Sequence, residues 1–207
     1  MKKNINSPLP ATRGKGEVRI IAGHWRGRKL PVLNAPGLRP TGDRIKETLF
    51  NWLMPHIRDC TCLDAFSGSG SLGFEALSRG AKQVTFLERD KATAKQLQAN
   101  LERLNCPPTQ ARVIQRDSLA FLAQAPNQML FDLVFLDPPF HFGLAQQSAD
   151  LLASYQWLNP EAFIYVETEK EADFRAPQQW ALLKQKSAGQ VCCRLFQYGI
   201  TETEKGE

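Results

Sequence analysis

From residue 60 onward the chain alternates short apolar runs with helical stretches, and this alternation limits the fold more than any other feature. Apolar runs of strand length occupy 60–66, 83–88, 111–115, 131–137 and 162–167. Between them 72–79 (with Gly80 just past its end), 91–104, 118–124 and 144–155 read as helices. Strands that alternate with helices predict a parallel sheet covered on both faces. The final stretch departs from that rule. Residues 180–186 and 191–198 flank Ser187-Ala188-Gly189 and predict a hairpin, so the sheet is expected to finish with an antiparallel pair.

The length of 207 residues fits one domain with an appendage. No apolar run approaches the roughly 18–20 residues of a membrane helix. Two lysines open the chain with no apolar stretch behind them, which argues against a secretory signal. Cys60, Cys62, Cys106, Cys192 and Cys193 are odd in number and lack metal-site spacing. They read as small buried side chains in a reduced, cytoplasmic protein, with no metal expected.

The first sixty residues differ in kind. Residues 1–44 hold ten Lys/Arg against two acids, a balance of +8, while the remaining 163 hold sixteen against nineteen, −3. Residues 1–16 lack periodicity and are expected to form a disordered tail. A strand at 18–22, a turn at 23–27 and a strand at 29–33 predict a small basic hairpin with Trp25 at its tip. Pro36, Gly37 and Pro40 mark a loop. Ile45, Leu49, Trp52 and Leu53 then fall on one helical face, capped by Asp43 or Thr41 and followed by Pro55. A basic arm suits a polyanion partner, and it equally suits a solvated tail.

Three motifs carry chemistry. The first runs from Asp64 to Gly73, where glycines 68, 70 and 73 match GxGxxG between a strand and a helix. Glycines there allow a tight turn and close approach of a ligand to the backbone. Glu88 ends the next strand, where an acid can accept ribose hydroxyls. A dinucleotide fits these facts. Asp64 argues against it, because a carboxylate at the strand end repels a pyrophosphate. It would attract a cationic ligand, and the amino acid part of S-adenosylmethionine carries an ammonium next to a sulfonium.

The second motif is Gln115-Arg116-Asp117-Ser118. Asp117 can accept from an adenine amine, or cap the helix that follows, or both. The third is Asp137-Pro138-Pro139-Phe140 at the end of the fourth strand. Two prolines fix the loop and remove two donors. A carboxylate, the Pro138 carbonyl and an aromatic ring then suit a planar ring bearing an amine. Glu167 and His141 lie nearby without an assigned role. His24 and His56 share no spacing with them.

Together these motifs resemble those of class I S-adenosylmethionine-dependent amino-methyltransferases. The stretch from Arg19 to Leu30 (RIIAGHWRGRKL), followed by Leu38 to Leu53 (LRPTGDRIKETLFNWL), is more specific. It resembles the RsmD family, bacterial enzymes that methylate N2 of guanine-966 in 16S ribosomal RNA. Ala22 and His24 stand where that family more often has Gly and Arg. The resemblance implies a Rossmann-like α/β fold, a seven-stranded sheet of order 3-2-1-4-5-7-6 with strand 7 antiparallel, extended by the basic N-terminal hairpin.

It also implies roles. Asp64, Ser67, Gly68, Ser69 and Gly70 would hold the methionine part of S-adenosylmethionine, Glu88 the ribose and Asp117 the adenine amine, with Phe66, Arg89 and Ser118 as further cofactor-binding residues. Arg39 and Thr41 would close over the cofactor. Asp137, Pro138 and Phe140 would hold the guanine, and Arg19, Trp25, Arg26, Arg28, Lys29 and Arg44 the RNA. Trp25 could equally be a hairpin anchor packed on the body. The implied organisation is a tail at 1–16, a docking arm at 17–40, a methyltransferase domain at 41–200 and a tail at 201–207. The expected partner is 16S ribosomal RNA in a small-subunit particle or assembly intermediate, bound by a monomer away from membranes. Rival readings are a DNA or other RNA amino-methyltransferase acting on adenine N6 or cytosine N4, and a non-catalytic RNA-binding protein with a vestigial fold. An NAD oxidoreductase lacks a candidate proton donor such as a Tyr-Lys pair.

Overall fold

A computed structural model describes residues 15–33, 43–127 and 129–199. Arg39 and Thr41 lie outside the described residues, as do the expected tails, Lys15 and Gly16 excepted. The N-terminal hairpin pairs β1 (Lys15–Arg19) with β2 (Lys29–Leu33). Helix α1 (Asp43–Leu53) leads into alternating β3 (Thr61–Asp64), α2 (Ser71–Ser78), β4 (Gln83–Glu88), α3 (Lys91–Arg103), β5 (Ala111–Gln115), α4 (Ser118–Leu122), β6 (Phe131–Leu136), α5 (Leu144–Ser154) and β7 (Leu158–Glu169). A closing hairpin of β8 (Trp180–Ala188) and β9 (Val191–Tyr198) follows. The seven-stranded sheet has the order β5-β4-β3-β6-β7-β9-β8, which is 3-2-1-4-5-7-6 when counted from β3. Its seventh strand, β9, runs antiparallel to both neighbours.

Successive strand residues face opposite sides, and both sides are apolar, as a doubly covered parallel sheet requires. Cys62, Phe86 and Phe135 point to a core shared with α1, α2 and α3. Leu63, Leu87 and Leu136 point to a second core beneath α4 and α5. Five adjacent strands are parallel, so the C-terminal ends of β3, β4, β5 and β6 lie on one edge of the sheet. That edge carries all three motifs.

Several boundaries differ from expectation for local reasons. The first hairpin strand ends at Arg19, not Ala22, because the amides of Ile21 and Ala22 turn away from β2 to the Glu75 carboxylate at 2.7 and 3.0 Å. Strand β7 begins four residues early, around an irregularity where Phe131 pairs with Leu158 and Leu133 with Phe163. It also continues past Glu167, which is buried within the strand and accepts from the Tyr165 hydroxyl at 2.8 Å. Asp43 sits in the first turn of α1, not before it. Cys60 and Cys106 are partly exposed, and all five cysteines are free thiols.

The hairpin is no loose arm. Val18, Ile20, Trp25, Leu30 and Val32 join the same core as α1, α2 and α3. Trp25, one candidate for stacking on RNA, is only 8% exposed. Of its two open readings the structure shows the anchor: the ring is buried, and its backbone amide donates to Ser78 Oγ at 2.9 Å.

Candidate active site

The glycine loop is shaped from within. Gly70 precedes α2 at φ 76°, a left-handed conformation that favours glycine. Gly73 leaves no room for a side chain, since a Cβ there would stand 2.2 Å from the Phe86 ring and 3.0 Å from Asp64 Oδ2. The Ser67 hydroxyl donates to the Asp64 carbonyl at 2.9 Å, and its amide donates to the Leu87 carbonyl at 3.0 Å. The loop is thus tied to both β3 and β4.

Asp64 is 2% exposed, and its Oδ2 accepts from the Gly73 amide at 3.0 Å. Burial pushes its carboxyl up to about 7; the Gly73 hydrogen bond opposes this, while the Asp137 and Glu88 carboxylates add to it. Glu88 reaches the loop directly. Its Oε2 accepts from the Gly68 amide at 3.0 Å and its Oε1 from the Asp90 amide at 2.8 Å. Asp64 at the end of β3 thus feels the carboxylates of Glu88, at the end of β4, and Asp137, just after β6.

Asp117 caps α4, with Oδ1 accepting from the Ala120 amide at 2.9 Å. The residue is exposed. Ser118 is buried, and its hydroxyl donates to the Ala65 carbonyl, linking the ends of β3 and β5. That bond makes Ser118 a brace between strands. Arg89 is exposed and Phe66 half-buried against the second core.

In the Asp137-Pro138-Pro139-Phe140 loop, Pro138 is buried while Asp137 and Phe140 are half-buried. His141 follows with φ 69°. Its amide donates to Glu169 Oε1, and its ring Nδ1 lies 3.2 Å from the same oxygen. The His141 ring stands edge-on to Phe140, centroids 6.4 Å apart. Glu169 thus anchors the loop from the end of β7.

The basic residues Arg19, Arg26, Arg28, Lys29 and Arg44 are all exposed. Lys29 pairs with Glu17 at 3.2 Å. Sequence reasoning missed the network beneath them. Glu75 is fully buried and, besides the two hairpin amides, accepts from Arg79 Nε at 2.7 Å. Lys46 is 1% exposed; its Nζ donates to the Arg19 carbonyl at 2.6 Å and to Ser71 Oγ at 3.2 Å. Burial lowers its pKa, and the Glu75 carboxylate opposes that shift. Ser71 opens α2, so one ammonium joins the hairpin to the helix that follows the glycine loop. The signal for it is a lone glutamate inside the otherwise apolar run of α2.

Comparison with known proteins agrees with this arrangement. The profile of a family described as conserved hypothetical protein 95 matches residues 18–197. Ribosomal RNA small subunit methyltransferase D of Haemophilus influenzae is 63% identical over 195 residues, covering 94% of this chain and 99% of that protein. The protein of the same name from Escherichia coli K12 is 50% identical over 189 residues, covering 91% and 93%. A solved structure from Haemophilus influenzae superposes with a TM-score of 0.79 at 60% identity, covering 88% of this chain and 99% of the other.

Proposed function

The chain belongs to the RsmD family, that of conserved hypothetical protein 95, and from this premise we infer that it transfers a methyl group from S-adenosylmethionine to 16S ribosomal RNA. The acceptor is N2 of a guanine, guanine-966, presented in an assembled small-subunit particle. One observation carries the cofactor assignment. Asp64 is buried at the end of β3 against the Gly73 amide, and the Glu88 carboxylate is tied to the same loop through Gly68, an acidic set that suits a cation. Gly70 and Gly73 let the loop and the start of α2 pack closely on Phe74, Leu97 and Phe86, which fixes the loop beside Asp64.

When bound, S-adenosylmethionine supplies a methyl group already activated by its sulfonium. The chain's residues then do the positioning. Asp64 and loop 67–70 hold the amino acid end, Glu88 the ribose and Asp117 the adenine amine. Arg39 and Thr41 are assigned to the cofactor on the family resemblance, and Phe66, Arg89 and Ser118 line or brace the pocket. A base inside a stack cannot reach this edge, so the guanine is extruded from the RNA. Phe140 stacks on it, while Asp137 and the Pro138 carbonyl hold the two N2 hydrogens. That orientation turns the nitrogen lone pair towards the methyl group, and the proton that the methylated nitrogen sheds would pass to Asp137 or to water while the cofactor would leave as its neutral thioether. Most of the acceleration comes from this alignment. The exposed Arg19, Arg26, Arg28, Lys29 and Arg44 meet RNA phosphates, which dominate nucleic-acid affinity.

The test is to incubate the protein with S-adenosylmethionine and either protein-free 16S RNA or small-subunit particles, then to identify the methylated nucleoside. N2-methylguanosine formed preferentially on particles is expected. N6-methyladenosine, N4-methylcytosine or methylated DNA would replace the substrate assignment. Absence of S-adenosylmethionine binding by calorimetry would favour a non-catalytic RNA-binding protein.

A further inference from the structure

We propose that Phe142 is a second base-stacking residue, which holds the nucleobase adjoining the target and thereby contributes to substrate selection. The inference rests on the reading of 137–140 as the target-base pocket. Phe142 is 68% exposed and is the most exposed Phe, Tyr or Trp side chain among the described residues. It stands two residues beyond Phe140 on the same strand-end loop, flanked by the exposed His141 and Gly143.

The loop that presents it is fixed at several points. His141 is held to Glu169 through both its amide and its ring. Gln147 Nε2 donates to the carbonyls of Phe142 and Gly143, each at 3.2 Å. His141 at φ 69° and Gly143 at φ 64° place left-handed turns on either side of the phenyl ring. A left-handed conformation is costly at a non-glycine residue such as His141, and here hydrogen bonds hold it. The consequence is an aromatic ring held out into solvent by a rigid backbone.

Extruding a base strips the face of its neighbour of a stacking partner, at a cost of a few kcal/mol. An aromatic ring beside the pocket supplies a replacement face without regard to base identity, and such stacking is worth about 1–3 kcal/mol per base. Phe140 and Phe142 would thus divide the work between the extruded base and the one left behind. A single ring on a narrow loop matches a nucleobase better than it matches a protein partner, which needs a broad apolar patch.

The experiment compares wild type with Phe142→Ala, Phe142→Leu and Phe142→Trp, measuring affinity for small-subunit particles and for S-adenosylmethionine, and methyl transfer. Phe142→Ala and Phe142→Leu should weaken particle binding by roughly 5- to 100-fold. Phe142→Trp should restore it to within about threefold. Cofactor affinity should stay within about twofold in all three, which also reports an intact fold. Particle binding by Phe142→Ala close to wild type overturns the inference. So does rescue by Phe142→Leu as complete as by Phe142→Trp, which would mark a merely apolar contact such as a ribosomal protein surface. Binding decides the role of Phe142. Transfer by the wild type decides the reading beneath it, so a wild type that binds particles but methylates nothing would sink that reading alone.

Discussion

Glu75 accepts the backbone amide of Ile21 at 2.7 Å across 54 residues of sequence, from a position with no solvent exposure. The bond joins the basic hairpin to the helix that follows the glycine loop. With the Ala22 and Arg79 hydrogen bonds it makes a buried, charge-assisted network. Removing one member of such a network leaves its partners buried and unmatched. Glu75→Ala is expected to cost about 3–5 kcal/mol of stability in a denaturant titration. A loss under about 1 kcal/mol would show that the hairpin is held by apolar packing alone.

Two glycines of the hairpin turn separate conformation from contact. Gly23 and Gly27 both have φ of 82°. A Cβ on Gly23 would stand 1.8 Å from the Ser78 carbonyl oxygen, whereas one on Gly27 meets nothing within 4 Å. Gly27→Ala should therefore cost only the left-handed penalty, about 1–2 kcal/mol. Gly23→Ala should lose at least twice as much and displace the hairpin from α2. Equal melting shifts for the two variants would contradict this account of the docking.

The state of Asp64 sets a pH dependence. The carboxyl titrates near 3.8 when unperturbed and near 7 in the folded chain. Between those values the folded state binds more protons than the unfolded state. The contribution of this group to stability therefore falls as pH rises from about 4 to about 7. A cation seated against Asp64 favours the carboxylate. Binding of S-adenosylmethionine at pH 6 should release a proton, and affinity should rise with pH towards 7 and then level. Calorimetry in two buffers of different ionisation enthalpy reads the proton directly. Proton uptake, or the same behaviour in Asp64→Asn, would remove Asp64 from the cationic site.

The arm is expected to supply salt-dependent affinity. Replacing Arg26, Arg28 and Lys29 together by Ala should weaken RNA binding and flatten its salt dependence, by about 0.7–0.9 in log–log slope for each phosphate no longer neutralised. Lys29 is already paired with Glu17, so Arg26 and Arg28 should account for most of the change. An unchanged slope would assign the arm another task.

The sequence was most informative where one periodicity governs a whole element. The alternation of apolar runs and helices was sufficient to read the parallel sheet, and β4, β5, β9 and the second hairpin strand fall on their expected residues. The glycine loop and the Asp137 loop were legible because backbone-specific residues, Gly and Pro, mark them. Contacts between distant segments were not legible. Lys46 shares the buried face of α1 with Leu49, Phe50 and Leu53, and nothing local announces that its ammonium will meet the Arg19 carbonyl and Ser71 there. For Trp25 the sequence leaves stacking and anchoring equally open, and only the fold of the turn back onto Ser78 separates them. The shift in β1 has the same origin, since nothing local announces that two amides will leave the ladder for a carboxylate on α2.

The central claim is that residues 137–140 hold an amine in line with a cofactor-borne methyl group, and Asp137→Ala tests it most directly. Single-turnover methyl transfer from S-adenosylmethionine to small-subunit particles should be measured alongside cofactor affinity. The account predicts transfer reduced by about 10³-fold or more, in the range that orientation and proton handling supply. Cofactor affinity should stay within about threefold, since Asp137 is assigned to the acceptor and Asp64 and Glu88 to the donor. Transfer at the wild-type rate in Asp137→Ala would contradict it.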